Sequence, residues 1–129
     1  MARLGPSEWL NDEIINVTMS LLIERDGRRR EQGKGPKCHY FNSFFVSKLY
    51  REKGKYNYNE VRRWTTPNRL KQAGQVSTSV LDCDRIIIPV NQNNLHWVTA
   101  VIDIKNKKFL LFDSLHVSFL GVFTIYSTR

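Results

Sequence analysis

Residues 93–118, "NNLHWVTAVIDIKNKKFLLFDSLHVS", decide how the chain folds. They hold two apolar runs, rich in β-branched and aromatic residues, on either side of the polar tetrapeptide KNKK. Such runs around a short polar turn predict a β-hairpin. His96 opens the first predicted strand and Asp113 closes the second, so the hairpin carries a histidine and a carboxylate that a nucleophile could use.

The turn decides whether His96 and Asp113 share a face of the sheet. If residues 105 and 106 form a two-residue loop, Asp113 lies opposite Val98, and if the loop moves one residue on, it lies opposite Ala100. Both registers place Asp113 on the face of His96, because opposed residues share a face and side chains alternate along a strand. The first register makes the two diagonal neighbours, roughly 7–8 Å apart at the backbone. A three-residue loop would put them on opposite faces.

The first third of the chain predicts a long helix. In "SEWLNDEIINVTMSLLIERDG", residues 7–27, Asn11 is a candidate N-cap and Gly27 a candidate C-terminal stop. The apolar positions recur at helical spacing and predict a face that packs in the core, namely Leu10, Ile14, Ile15, Val17, Leu21 and Leu22. The next residues, 28–37, are basic with two glycines and a proline, and they predict an exposed loop.

Shorter elements follow. "CHYFNSFFVSKLY" predicts a short helix capped by Asn42 or Ser43, with three residues facing inward, namely Phe44, Phe45 and Leu49. "NEVRRW" predicts one more helical turn that pairs Val61 with Trp64, and residues 65–79 predict a loop. "RIIIPV" predicts a strand ahead of the hairpin. Helices first and strands later predict an α+β domain.

The composition limits the class of protein. With 129 residues, of which 41% are hydrophobic, the chain has room for one modest domain. Its formal charge of +8 suits an acidic partner without naming one. No apolar run reaches the roughly 20 residues that span a bilayer, so we expect no membrane partner. The two cysteines form no CxxC pair, and the histidines and cysteines show no zinc spacing, so we expect a reducing compartment, no metal and no cofactor.

Six phrases carry a resemblance to a known family. They are "EWLNDEIIN", "KCHYFNSFF", "VRRWTT", "LDCDRIIIPV", "LHWVTAVID" and "LLFDSL". In this order they resemble the catalytic domain of the ubiquitin-like-protein-specific cysteine proteases, the SUMO (sentrin) proteases of peptidase family C48, and the plant members above all. The resemblance implies a papain-like α+β fold, a monomer that acts on SUMO and SUMO conjugates, and a nuclear location.

The resemblance also implies roles for individual residues. His96 matches the general base and Asp113 the carboxylate that orients it. Trp9 and Trp97 match aromatic residues that clamp the di-glycine tail of SUMO, and the remaining matches to the SUMO-binding surface are Asp12, Arg62 and Arg63. Simpler readings stay open: Trp9 as a helix-entry staple, and Asp12 as compensation for the helix dipole.

The nucleophile of the family has no match in this sequence. The segment after Asp113, "SLHVSFLGVFTIYSTR", contains neither the cysteine nor the oxyanion-hole glutamine. Cys38 and Cys83 are expected to be small buried fillers. We therefore expect residues 1–115 to be the N-terminal part of a catalytic domain and residues 116–129 to be a divergent, strand-like tail, left by a C-terminal truncation or an exon boundary.

Three functions follow from these expectations. The first is a SUMO-specific cysteine peptidase by family, inactive in the chain as given. The second is a fragment that binds SUMO without cleaving it. The third is nucleic-acid binding through two basic clusters, which we do not expect because no nucleic-acid motif accompanies them; they are Arg28, Arg29 and Arg30, and Lys105, Lys107 and Lys108.

Overall fold

A computed structural model describes residues 11–51, 55–72, 79–92, 96–113 and 117–122, the last as backbone only. Three helices precede the main part of a sheet: α1 (Asp12–Glu31), α2 (Phe44–Leu49) and α3 (Pro67–Gln72). The strands are β1 (Cys38–Tyr40), β2 (Arg85–Gln92), β3 (His96–Asp103), β4 (Lys108–Asp113) and β5 (Val117–Val122). Short 3-10 turns cover Tyr58–Glu60, Arg62–Thr65 and Val80–Asp82. The predicted α+β class is confirmed.

The five strands form one sheet in chain order, β1-β2-β3-β4-β5. β1 runs parallel to β2, and the three later pairs are antiparallel. The three strands predicted between residues 85 and 113 are all present. The strand-like character predicted for the tail is confirmed for residues 117–122 by β5, and residues 123–129 lie outside the described residues. Within the described residues no helix has the length and apolar character needed to cross a bilayer.

The first of the two predicted hairpin registers is confirmed. Val98 lies opposite Asp113 and Asp103 opposite Lys108. The turn between them is held by Asp103, whose carboxylate accepts hydrogen bonds from the backbone N–H of Asn106 at 3.1 Å and from its side-chain amide at 3.0 Å. Lys107 takes a φ of 56°, the left-handed conformation that tight turns require. The turn therefore fixes which face Asp113 occupies.

The core lies on one face of the sheet. Phe41, Ile86 and Ile88 are buried at its centre, and the helical segments cover them with partly buried side chains, namely Phe45, Val46, Trp64 and Val80. Phe41 stacks on Phe45 with ring centroids 3.8 Å apart. Because residues opposite one another share a face, Ala100 opposite Ile88 and Ile102 opposite Ile86 extend this apolar layer toward β4.

The start of α1 is as predicted, but its end is not. Asn11 is the N-cap, and its side-chain oxygen accepts the N–H of Ile14 at 3.0 Å. The predicted stop at Gly27 is wrong, because the helix continues to Glu31 and the chain turns only afterwards, at Gly33 and Gly35, which have φ angles of 71° and 76°. Positive φ of this kind suits glycine. The predicted basic loop is thus reduced to residues 32–37.

The predicted core face of α1 is partly wrong. Val17 is 58% exposed and Leu21 is 60% exposed, whereas Ile14, Ile15 and Leu22 are half-buried. Apolar residues occur on several sides of this helix, so their spacing alone did not select the packed side. Asp26 anchors the helix instead: it is buried and accepts a 2.5 Å hydrogen bond from the Tyr40 hydroxyl of β1. Leu10 lies outside the described residues.

The predictions for α2 and for the helical turn at NEVRRW are correct except for the burial of one residue. Ser43 is the N-cap of α2 but makes no side-chain cap bond, and Asn42 accepts the N–H of Phe44 at 2.9 Å instead. Phe44 is 45% exposed, so its predicted inward position is wrong, while Phe45 packs against the core. The predicted turn at NEVRRW is confirmed by the 2.9 Å bond from the Trp64 N–H to the Val61 carbonyl.

The predicted loop at residues 65–79 contains a helix, α3. Pro67 is its first residue, a position where the missing N–H costs nothing and the fixed φ favours the helix. Leu70, which is completely buried, holds this short helix on the domain. Residues 73–78 of the predicted loop lie outside the described residues.

Candidate active site

The hairpin brings His96 and Asp113 into contact. His96 is the first residue of β3 and Asp113 the last of β4, and Asp113 lies opposite Val98 on the same face as His96. The His96 Nε2 atom lies 2.5 Å from Asp113 Oδ1. The predicted diagonal contact is therefore confirmed, and two adjacent antiparallel strands produce it by register alone.

The geometry of this pair sets the chemistry of the imidazole. An ionised carboxylate only accepts hydrogen bonds, so the Nε2 atom of His96 carries the proton and donates it to Asp113. In neutral His96 the lone pair is then on Nδ1, and that nitrogen is the one able to take a proton from a thiol or hydroxyl. The carboxylate also stabilises the imidazolium that such a transfer produces.

The pair lies in a sheltered position where two interior strands of the sheet, β3 and β4, begin and end. The side chain of His96 is 16% exposed and that of Asp113 is 8% exposed. Val98, which lies two residues after His96 on β3 and opposite Asp113, is buried. This partial burial lowers the local dielectric and strengthens the contact, while the histidine remains reachable from outside.

The other predicted site residues lie next to this pair in sequence, on other elements, or outside the described residues. Trp97 follows His96 and is half-buried, and its side chain points to the opposite face of the sheet. Asp12 is exposed in the first turn of α1, and Arg62 and Arg63 are exposed in a 3-10 turn. Trp9 lies outside the described residues. The roles predicted for these residues stay predictions.

An apolar groove next to Asp12 was missed by the sequence reasoning. A cavity of about 570 Å³ lies between α1 and the start of α2, and its walls include Asp12, Ile14, Val17 and Phe44. Val17 and Phe44 are the exposed apolar side chains that periodicity had assigned to the core. Exposed apolar side chains grouped around a charged residue are typical of a protein-binding surface. The sequence indicated this groove only through α1, which has more apolar residues than one buried face of a helix can hold.

Neither cysteine is placed to act with His96. Cys38 pairs with Arg85, and Arg85 lies opposite Asp103, seven residues from His96 or roughly 23 Å along β3. Cys38 and Cys83 are both buried, and burial raises the pKa of each thiol, so little thiolate forms at neutral pH. The expectation that both are buried fillers is confirmed. Among the residues that the structure describes, no three His, Cys, Asp or Glu side chains converge as metal ligands.

Comparison with known sequences identifies relatives of this arrangement. Residues 8–118 match the Ulp1 protease family, C-terminal catalytic domain. Ubiquitin-like-specific protease 1A of Arabidopsis thaliana is 49% identical over 111 residues, which is 86% of this chain and 20% of that protein. Sentrin-specific protease 2 of Homo sapiens is 35% identical over 107 residues, 83% of this chain and 15% of that protein. The chain thus spans about a fifth or less of these relatives.

Comparison with solved structures gives the same family. The C-terminal Ulp1 protease domain in complex with Smt3, the yeast orthologue of SUMO, superimposes with a TM-score of 0.58 at 37% identity and covers 82% of this chain and 38% of that one. SUMO protease Ulp1 with its catalytic cysteine oxidised to a sulfenic acid gives a TM-score of 0.59 at 36% identity, with 82% and 39% covered. The fold described above is that of a Ulp1-like SUMO protease.

Proposed function

Because the chain belongs to the Ulp1 protease family, C-terminal catalytic domain, we propose that it carries the general-base part of a SUMO-directed cysteine peptidase. The observation that supports this most directly is the 2.5 Å contact between His96 and Asp113. The reaction would release SUMO from precursors and conjugates by cleavage after its di-glycine tail. The match of residues 8–118 to the catalytic domain of this family supports the reaction class.

The residues present define which part of the reaction this chain contributes. Nδ1 of His96 takes the proton of a cysteine thiol, and the thiolate sulfur bonds to the carbonyl carbon of the terminal glycine. The His96 imidazolium, held by Asp113, then returns the proton to the departing amine as the C–N bond breaks. Water hydrolyses the resulting thioester. The thiol must come from a cysteine other than Cys38 and Cys83, which are buried at the far end of the sheet.

We expect the 129-residue chain alone to show no turnover, because its two cysteines cannot reach His96. The test is incubation with SUMO carrying a fluorogenic leaving group at its C-terminus, with the His96→Ala variant beside it. Equal, background-level release from both proteins is the expected result. Release that disappears in the His96→Ala variant would show that one of the two cysteines, or another group, does act with this histidine.

Binding of SUMO is the part of the function that this chain can show by itself. The groove between α1 and α2 supplies an apolar surface at Val17 and Phe44, with Asp12 at its edge as a partner for a basic group. The predicted contacts at Trp9, Trp97, Arg62 and Arg63 would complete the surface. A charged rim around an apolar centre is the usual composition of a specific interface.

Titration of the isotope-labelled chain with SUMO tests this binding. We expect amide shifts concentrated at Asp12, Val17 and Phe44, and an affinity about fivefold to tenfold lower for Phe44→Ala. Glu24→Ala is the matched control, because Glu24 is exposed on the same helix and its ion pair with Arg28 is a surface contact. A spectrum unchanged by SUMO would remove the binding function.

The nuclear location and the monomeric state are also proposals, and they rest on the family resemblance. A fluorescent fusion expressed in plant cells and light scattering on the purified chain would test them separately. Exclusion of the fusion from the nucleus, or a mass that is a multiple of 15.2 kDa, would contradict one or the other.

A further inference from the structure

A second cavity, distinct from the groove at Asp12, lies between α1, β1 and α3. Its volume is about 610 Å³, large enough for two or three amino-acid side chains. Its polar lining residues include Asn16, Ser20, His39, Asn42, Arg69 and Gln72. No role in SUMO cleavage has been assigned to this cavity.

One wall of the cavity contains a buried histidine with an unpartnered nitrogen. His39 is 5% exposed, and its Nδ1 atom has no hydrogen-bond partner. Burial lowers the pKa of His39, so the ring is neutral at physiological pH. A buried polar atom without a partner is uncommon in native proteins. Its presence in the wall of an open cavity indicates a site that a bound group would complete.

The charge in the lining points to an anion. Among the lining residues that the structure describes, Arg69 alone carries a formal charge at neutral pH, and none is a carboxylate. Its side chain is exposed and forms no ion pair in the described structure. The side-chain amide groups of Asn42 and Gln72 provide further N–H donors. A carboxylate is the group that this set of donors fits.

The surface around the cavity extends the same charge. Residues 55–72, which end with α3, carry five lysines or arginines and one glutamate, so they hold a net charge of +4. Residues 12–31 of α1 carry four arginines and five acidic residues, a net charge of −1. Arg62, Arg63 and Lys71 are exposed in the 3-10 turn and in α3, the two elements that contribute Trp64, Arg69 and Gln72 to the cavity. A small anion would fill the cavity without using this surface, whereas an extended acidic chain uses both.

The aromatic rings in the cavity do not offer a stacking platform for bases. Phe41 stacks on Phe45 at 3.8 Å and meets the edge of His39 at 4.7 Å, and Trp64 packs against both phenylalanines. Single-stranded nucleic acid binds through exposed aromatic faces as well as cations. We propose that this cavity binds an acidic segment of a protein partner, with one carboxylate on Arg69 and the rest of the segment along the exposed basic residues Arg62, Arg63 and Lys71.

The proposal is tested with the whole 129-residue chain and a fluorescein-labelled peptide of six glutamates. We expect saturable binding in fluorescence anisotropy, a shift of the Trp64 indole resonance, and about tenfold weaker binding for Arg69→Gln. Arg28→Gln is the matched control, because it removes the same charge from an exposed arginine that lies outside the cavity. The control should bind the peptide within twofold of the wild type.

Three results would overturn the proposal. They are equal binding of a hexaglutamine peptide, equal weakening by Arg28→Gln and Arg69→Gln, and displacement of the peptide by oligo(dT) that binds more tightly than the peptide does. The first would exclude an acidic ligand, the second would leave only general electrostatics, and the third would favour nucleic acid. Since SUMO is absent from every arm, failure here would leave the proposed function untouched.

Discussion

Two carboxylates of this protein make hydrogen bonds of the same length in different settings. Asp26 of α1 accepts the Tyr40 hydroxyl at 2.5 Å, and Asp113 of β4 contacts His96 at 2.5 Å. The first joins a helix to a strand across 14 residues of chain, and its partner cannot give up its proton near neutral pH, because burial and the bond to Asp26 raise the pKa of Tyr40. The second joins neighbouring strands, and its partner is an imidazole, which can both donate and accept a proton.

The difference shows that bond length does not separate a structural contact from a chemical one. What separates them is the partner, since a tyrosine with a raised pKa keeps its proton near neutral pH, whereas an imidazole has a second nitrogen that can take a proton from another group. Asp26 also accepts a hydrogen bond from Arg25 and is buried with Tyr40, so its loss affects the packing of α1. Asp113 affects mainly the state of one imidazole.

Asp26→Ala should have the largest effect on stability. The change leaves the buried Tyr40 hydroxyl without its acceptor and releases α1 from β1, so we expect the free energy of unfolding to fall by about 2–3 kcal/mol. Urea unfolding followed by tryptophan fluorescence measures it. Tyr40→Phe, which removes the donor and its desolvation cost together, should cost about 1 kcal/mol. A smaller loss of unfolding free energy for Asp26→Ala than for Asp113→Ala would contradict the structural role given to Asp26.

Asp113→Ala should cost about 1 kcal/mol of stability and change the tautomer of His96. In the wild type the neutral ring carries its proton on Nε2, which the carboxylate requires, and the variant removes that requirement. Nitrogen-15 shifts of the labelled histidine report the tautomer directly. Asp82→Ala, at an exposed acidic residue away from the hairpin, should leave both the tautomer and the unfolding curve unchanged.

Asn106→Ala should lower the free energy of unfolding by about 0.5–1 kcal/mol at neutral pH, because it removes a hydrogen bond to a third carboxylate, that of Asp103. The hydrogen bond from the Asn106 side chain is the main reason that the pKa of Asp103 lies below its ordinary value. A carboxyl with a lowered pKa stabilises the fold above its unfolded pKa of about 3.9 and loses that contribution as pH falls through the lower, folded value. The stability difference between variant and wild type should therefore shrink in acid, and unfolding curves between pH 7 and 3 would show it. A difference that stays constant would disprove the linkage.

Gly27→Ala should have the smallest effect, and it should be stabilising by about 0.5 kcal/mol. Gly27 is inside α1, next to Asp26, and an added Cβ would meet no atom closer than 3.9 Å, the distance to Arg30. Gly35→Ala is the opposite case, because its φ of +76° disfavours a side chain and the added Cβ would lie 3.1 Å from Arg29 Nε. Thermal melts of the two variants should shift in opposite directions.

The sheet was the more predictable half of the fold. Strand positions and the hairpin register followed from local patterns, because a short polar turn fixes which residues oppose each other. The contact of His96 with Asp113 follows from that register, so it too could be predicted from the sequence. The sequence did not identify a nucleophile for this pair. The structure agrees, because Cys38 and Cys83 are buried at the other end of the sheet.

The helices were less predictable, because tertiary contacts decide where they end and what they bury. α1 continues through Gly27 while Asp26 is held by Tyr40, a residue that lies beyond the helix in sequence. α3 was predicted as a loop because residues 65–79 are polar and contain Pro67 and Gly74, yet proline at a first helical position is favourable. The outward side of Phe44 depends on where α2 lies against the sheet, and no local pattern encodes that.

The parallel pairing of β1 with β2 has a consequence for how the protein folds. The backbone N–H of Lys37, just before β1, bonds the Asp84 carboxylate at 2.9 Å across 47 residues of chain, whereas His96 and Asp113 are 17 residues apart within one hairpin. Closing the longer loop costs more entropy, and such non-local pairings slow folding. We therefore expect the hairpin with the histidine and its carboxylate to form early. The slow step should be the docking of β1, together with α1, onto β2.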